Sequence, residues 1–128
     1  MTVVVPISWG ELLDKITILE IKAERIVDEN KQTSVVSELT VLRSARDQAG
    51  KSLDEVAETI LRLKAVNERL WDIENDIRAC EAAGDFSEKF IALARAVYQT
   101  NDRRAALKRD MNLMLGSDLI EEKEYYKK

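Results

Sequence analysis

The fold is decided by residues 52–116, SLDEVAETILRLKAVNERLWDIENDIRACEAAGDFSEKFIALARAVYQTNDRRAALKRDMNLMLG. Apolar residues recur at alternating steps of three and four before Gly84, and the same pattern resumes after it. Such steps place side chains on one face of an α-helix, and glycine favours the left-handed conformation that ends a helix. The stretch therefore predicts two long helices, over residues 53–83 and 86–115, folded back on each other as an antiparallel hairpin.

Two shorter helices are predicted upstream of this hairpin. Ser8 and Glu11 have the spacing of a capping box, which predicts a helix over residues 8–28. That helix carries apolar residues on both of its sides, so we expect it to pack against two partners. A polar segment interrupts the pattern before a second helix, which is predicted over residues 34–48.

The capping-box spacing also occurs near the start of both hairpin helices, at Ser52 with Glu55 and at Asp85 with Glu88. We therefore expect Ser52 and Asp85 to cap these helices.

The ends of the chain complete a single-domain prediction. Residues 1–7 read as an extended arm, because they are rich in valine and contain Pro6. Residues 117–128 read as a C-terminal tail. The expected fold is an all-α, antiparallel four-helix bundle that forms one domain over residues 1–128.

Composition excludes several function classes. The 128 residues include no histidine and one cysteine, and the formal net charge is −4. The lack of histidine argues against Ser-His triads and most zinc sites, and the negative charge argues against general nucleic-acid binding. The absence of a long apolar run argues against a membrane span. We predict a cytoplasmic protein with no cofactor, no metal, no nucleic-acid partner and no membrane partner.

The lengths of the helices predict a homodimer. The two hairpin helices should each be about 45 Å long, whereas the first two helices are shorter and cover only part of the apolar stripe of the hairpin. A second copy of the chain would cover the remainder. The alternative is that a different protein covers the uncovered part of the stripe.

A polar layer interrupts the apolar stripe near the middle of the hairpin. We place Leu63, Leu70 and Ile77 of the first hairpin helix at heptad position d. Four polar and aromatic residues then form a strip along the edge of the apolar stripe: Asn67, Trp71, Glu74 and Arg78. Thr100, Asn101 and Arg104 lie level with this strip on the other helix. A buried charge needs a partner, so Arg104 is predicted to be at least half buried and paired with Glu20, Glu24, Glu74 or a bound anion.

This polar layer supports two functional hypotheses. Polar layers in helical bundles often fix register without binding anything, which favours a non-enzymatic interaction or adaptor module. Alternatively, the layer forms a cleft that binds, or acts on, a small phosphorylated or sugar metabolite. The candidate ligand-binding residues are then Asn67, Trp71, Glu74, Asn101, Asp102 and Arg104.

Two helical enzyme classes fit the sequence poorly. Nucleoside triphosphate pyrophosphohydrolases use EExxE followed by ExxD on a later helix. Asp54, Glu55 and Glu58 give only a DExxE version, and the second half is missing downstream. Short chorismate mutases carry an N-terminal arginine-isoleucine-aspartate pattern that this chain lacks. We therefore assign no catalytic residues.

Three motifs together resemble a family of small, all-helical bacterial and phage proteins classed as a domain of unknown function. They are SWGELLDKITIL at 8–19, AVNERLWDIENDIR at 65–78 and NDRRAALKR at 101–109. The resemblance spans most of the chain and implies no activity, so no catalytic residue is carried over. It draws attention to residues that would converge if the first helix crosses the middle of the hairpin: Trp9, Glu11, Asp14, Lys15, Asn67, Trp71, Glu74, Asn101, Asp102 and Arg104.

Overall fold

A computed structural model describes residues 1–125 and contains four α-helices. They are α1 (Trp9–Arg25), α2 (Glu29–Gln48), α3 (Ala57–Ala83) and α4 (Glu88–Met114), with one turn of 3-10 helix at Asp54–Val56 leading into α3. No strand occurs within the described part of the chain. The predicted all-α fold with a long α3–α4 hairpin is confirmed.

Helix α1 lies at the centre of the arrangement. It contacts α2, α3 and α4, whereas α2 packs against α1 alone. One apolar cluster joins α1 to α2 and contains Leu12, Ile16, Leu19, Val35 and Leu39. A second cluster joins α1 to the hairpin and contains Leu13, Val56, Leu63, Met111 and Leu115. The prediction that the first helix packs on both of its sides is confirmed, and its partners are three helices rather than two.

The start of α1 agrees with the sequence prediction, but the start of α2 does not. Ser8 caps α1, since its hydroxyl accepts a hydrogen bond from the backbone N–H of Glu11 at 3.1 Å. Helix α2 begins at Glu29 rather than at residue 34, because Asp28 caps it through the backbone N–H of Lys31. The polar segment that suggested a loop is the exposed first turn of α2.

The side chain of Gln32 explains why the connection between α1 and α2 is so short. Its amide donates to the backbone carbonyls of Ala23 and Ile26, each at 2.6 Å. These carbonyls lie at the end of α1, where the helix itself supplies no donors.

The predicted caps of the hairpin helices were wrong. Ser52 accepts only a 3.4 Å bond from the backbone N–H of Asp54, and α3 begins after the intervening 3-10 turn. Asp85 bonds the N–H and hydroxyl of Ser87, so its side chain shapes the turn and α4 starts one residue after Ser87. The turn itself is as predicted, since Gly84 ends α3 with a left-handed φ of 66°.

Helices α1 and α4 approach each other closely at Gly10. Its backbone N–H donates to the side-chain carbonyl of Asn112 at 2.6 Å. A Cβ atom at Gly10 would lie 2.5 Å from the backbone oxygen of Lys108, which is closer than carbon and oxygen can pack. The two helices can therefore touch only because residue 10 has no side chain.

None of the helices within residues 1–125 is long and apolar enough to cross a lipid bilayer.

We expect Gly10→Ala to lower the free energy of unfolding by about 1–3 kcal/mol, because the new methyl group forces α1 away from α4. Urea denaturation followed by circular dichroism measures the change. Ser37→Ala on the exposed face of α2 is the control and should stay within about 0.5 kcal/mol of wild type. A Gly10→Ala protein more stable than wild type, as expected for an unconstrained helical glycine, would contradict the close approach.

Candidate functional site

A buried carboxylate, Asp14, joins the three central helices. Its side chain is 0% exposed. Arg104 of α4 binds it with two nitrogens, Nε at 2.9 Å and Nη2, and the amide of Asn67 of α3 donates to it at 2.9 Å. Thr17 accepts a second bond from Asn67 and donates to the backbone carbonyl of Asp14. We call these four residues the Asp14 network.

The prediction for Arg104 is confirmed in its burial and in the acidic nature of its partner. Its side chain is 29% exposed, and hydrogen bonding to Asp14 holds the pKa of Arg104 above its ordinary value. The predicted partners were wrong. Glu20 instead pairs with Arg43 of α2, and Glu24 with Lys64.

Helix α1 supplies Asp14 because it crosses the hairpin where Asp14 and Thr17, rather than Glu20 or Glu24, face the polar layer. Glu74, the third predicted partner, lies 3.4 Å from Arg78 on its own helix.

Lys108 extends the charge pairing toward the C-terminal tail. Its ammonium donates to Glu11 at 2.8 Å and to Glu121 at 2.9 Å. Burial lowers the pKa of Lys108, but these hydrogen bonds outweigh burial and leave the pKa above its ordinary value. The same contact with Lys108 lowers the pKa of Glu121. The tail is thus tied to α4 and to the start of α1.

The buried polar groups are satisfied within the chain. Among the described residues, no buried side-chain nitrogen or oxygen lacks a hydrogen-bond partner. This arrangement is typical of a polar layer that fixes the register of packed helices.

A cleft of about 440 Å³ opens beside the Asp14 network, where the second half of α1 meets the hairpin. Five of the six candidate ligand residues line it, namely Asn67, Trp71, Glu74, Asn101 and Arg104. The rest of its lining consists of Ile18, Ile21, Leu70, Asn75 and Arg78. The sequence therefore located residues that the fold brings together around one cleft.

Asp102 does not line this cleft. It is exposed and borders a separate depression with Lys108 and Glu121. The resemblance drew attention to it together with Asn101 and Arg104, which belong to the same motif. Successive residues of an α-helix point about 100° apart, so Asn101 and Asp102 face different surfaces.

The remaining residues of the first motif have separate roles. Trp9 packs against both apolar clusters, and Lys15 is exposed.

The sequence analysis did not predict that Gly10 and Asn112 are partners. The available signal was a glycine in the first turn of an amphipathic helix. Glycine destabilises a helix, so its presence there indicates that another part of the chain packs closely against it.

No group of three or more Cys, Asp or Glu side chains that could hold a metal ion occurs within residues 1–125.

The chain belongs to a family of unknown function, DUF6165, whose model matches residues 3–128. No curated protein and no solved structure matches the chain. The expected membership of an uncharacterised family is confirmed, and a bacterial or phage origin stays a prediction.

We expect Asp14→Asn to destabilise the protein by about 3–5 kcal/mol, because it leaves Arg104 partly buried without a counter-ion. Chemical denaturation monitored by circular dichroism gives the value. Asp72→Asn is a matched control, since Asp72 pairs with Arg25 at an exposed position and should cost less than about 1 kcal/mol. Equal effects of the two substitutions would show that the Asp14 network does not hold the helices together.

Proposed function

We propose that the protein is a non-enzymatic helical interaction module that forms a homodimer through the distal half of its hairpin. The supporting observation lies in one heptad row of α3. Leu63 is 0% exposed where Leu13 of α1 packs in the same cluster, but Leu70 and Ile77, further along the row, are only partly buried. The same apolar row is fully buried in one half of the hairpin and only partly buried in the other.

The lengths of the helices support this proposal. Helix α1 has 17 residues and α3 has 27, which correspond to about 26 and 40 Å. Within the described residues, the ion pairs from α1 to α3 reach no further than Asp72. Beyond that point the hairpin consists of two helices without a third to cover them.

Helix α4 supplies the other half of this surface. We define the distal face as the partly buried apolar residues from Leu70 toward the turn of the hairpin and back along α4, which are Leu70, Ile77, Phe90, Leu93 and Val97. Ile91 and Tyr98 are more than half exposed beside it. Two isolated helices bury too little apolar surface to be stable, so a third element normally covers them.

A second copy of the chain suits the distal face better than an unrelated partner. Glu74 and Arg78 border the face with opposite charges, and Arg78 is 75% exposed. In a two-fold dimer Glu74 of each copy can face Arg78 of the other copy. The charged border of the face is therefore complementary to itself. Two hairpins packed in this way would form a four-helix assembly.

The Asp14 network supports a non-enzymatic role, because its two charged groups, Asp14 and Arg104, are paired with each other. The proposal includes a location in the bacterial cytoplasm, which rests on the motif resemblance and on the lone, buried Cys80.

A second candidate function is the binding of a small phosphorylated or sugar metabolite. The observation that favours it is the convergence of Trp71, Glu74, Asn101 and Arg104 on one cleft. Its volume of about 440 Å³ lies within the range typical of small-molecule sites.

Sedimentation velocity over a range of concentrations tests the homodimer. We expect wild type to have the mass of two chains, and Ile77→Glu to have the mass of one while retaining its helical circular dichroism. The matched control is Leu61→Glu, because Leu61 is exposed on α3 outside the distal face. Single-chain mass for wild type, or identical behaviour of the two variants, would contradict the proposal.

A thermal-shift screen against inorganic phosphate, sugar phosphates, nucleotides and neutral sugars tests the second function. A ligand at 100 times its dissociation constant should stabilise the protein by about 2.7 kcal/mol, which raises Tm by several degrees. We expect Trp71→Leu to abolish the shift and Asp102→Asn, which lies outside the cleft, to preserve it. No shift with any compound would argue against the second function.

A further inference from the structure

We propose that the cleft binds a small organic anion that has an apolar or aromatic body. Its carboxylate or phosphate group binds Arg104 and Asn101, and its body lies against the apolar wall of the cleft. This inference rests on the second candidate function and narrows its class of ligand.

Arg104 is held in place before any ligand arrives. Its Nε and Nη2 atoms bind Asp14, whose position is in turn fixed by Asn67. The remaining nitrogen, Nη1, makes no hydrogen bond within residues 1–125, and Arg104 lines the cleft. A guanidinium fixed along one edge loses little freedom when it binds an anion with its remaining donors.

Asn101 lies beside Arg104 at a spacing of three residues on α4. Residues three apart on a helix are neighbours on its surface. The side-chain amide of Asn101 makes no hydrogen bond within the described residues and also lines the cleft. Arg104 and Asn101 thus offer adjacent donors to one anionic group.

The cleft as a whole has more donors than acceptors. Glu74 lies beside Arg78 and Asp14 pairs with Arg104, so the attraction for an anion comes from the donors that these two pairs leave free. Guanidinium and indole groups only donate hydrogen bonds, and the indole N–H of Trp71 has no partner within residues 1–125. A ligand group that only accepts, such as a carboxylate or a phosphate ester, fits these donors.

The other wall of the cleft is apolar and includes Ile18, Ile21, Leu70 and the ring of Trp71. Inorganic phosphate alone would leave this wall in contact with water. A neutral sugar offers Arg104 no charged group, and the one carboxylate of the lining, Glu74, already lies 3.4 Å from Arg78. An apolar or aromatic body joined to an anionic group uses both walls.

Nitrogen-15 NMR titrations at constant ionic strength test this inference. The probes are phenyl phosphate and benzoate, which have both parts, and inorganic phosphate, benzyl alcohol and glucose, which do not. We expect phenyl phosphate, benzoate or both to shift the indole N–H signal of Trp71 saturably and to leave that of Trp9 unchanged. Inorganic phosphate and benzyl alcohol should bind at least about tenfold more weakly.

Asn101→Leu should weaken binding of the successful probe by about tenfold, because it removes a hydrogen bond to a charged group. Gln99→Leu is the matched control, since Gln99 is exposed on the same helix and does not line the cleft. Asn101 makes no hydrogen bond that the fold requires, so its loss should leave the helical circular dichroism unchanged.

Three results would overturn the inference. Equal binding to the Asn101→Leu and Gln99→Leu proteins would show that the anion lies elsewhere. A saturable shift of Trp71 with glucose but not with phenyl phosphate or benzoate would keep the cleft as a binding site while refuting the anionic ligand. No saturable shift with any probe would refute the anionic ligand and, together with a negative thermal-shift screen, the second candidate function.

Discussion

The structure depends on the ion pair between Asp14 and Arg104. A buried carboxylate is costly unless it is paired, and here its partners come from both hairpin helices, Arg104 from α4 and Asn67 from α3. A shift of α1 along the hairpin, or a rotation about its own axis, would leave a buried charge without a partner. The apolar clusters supply the driving force for packing, and this ion pair selects one register among the many that apolar contact alone would allow.

The same arginine links the two functional hypotheses. Two nitrogens of Arg104, Nε and Nη2, bind Asp14 in the Asp14 network. The same side chain also lines the cleft, and its third nitrogen, Nη1, makes no hydrogen bond within residues 1–125. The cleft lies at the end of α1, and Leu70 belongs both to its wall and to the distal face. A second copy on that face would therefore border the cleft, so self-association and ligand binding would affect each other.

Periodicity was enough to predict the four helices and the hairpin, because long amphipathic segments and a terminal glycine depend on local rules. It also located the polar layer, since the heptad pattern shows where polar residues interrupt the apolar stripe of the hairpin. It could not identify Asp14 as the partner of Arg104, because that choice depends on the angle at which α1 crosses the hairpin. Asp102 lies outside the cleft for a related reason, since neighbours in sequence face different surfaces of a helix.

The contacts that define the core join the two ends of the chain. Asp14 and Arg104 are 90 residues apart, Gly10 and Asn112 are 102 apart, and Trp9 and Ser117 are 108 apart. A ribosome releases α1 long before it has made α4. Until then Asp14 has no counter-ion, and the apolar side of α1 that faces the hairpin has little to cover it. The folded core can therefore form only after synthesis of α4.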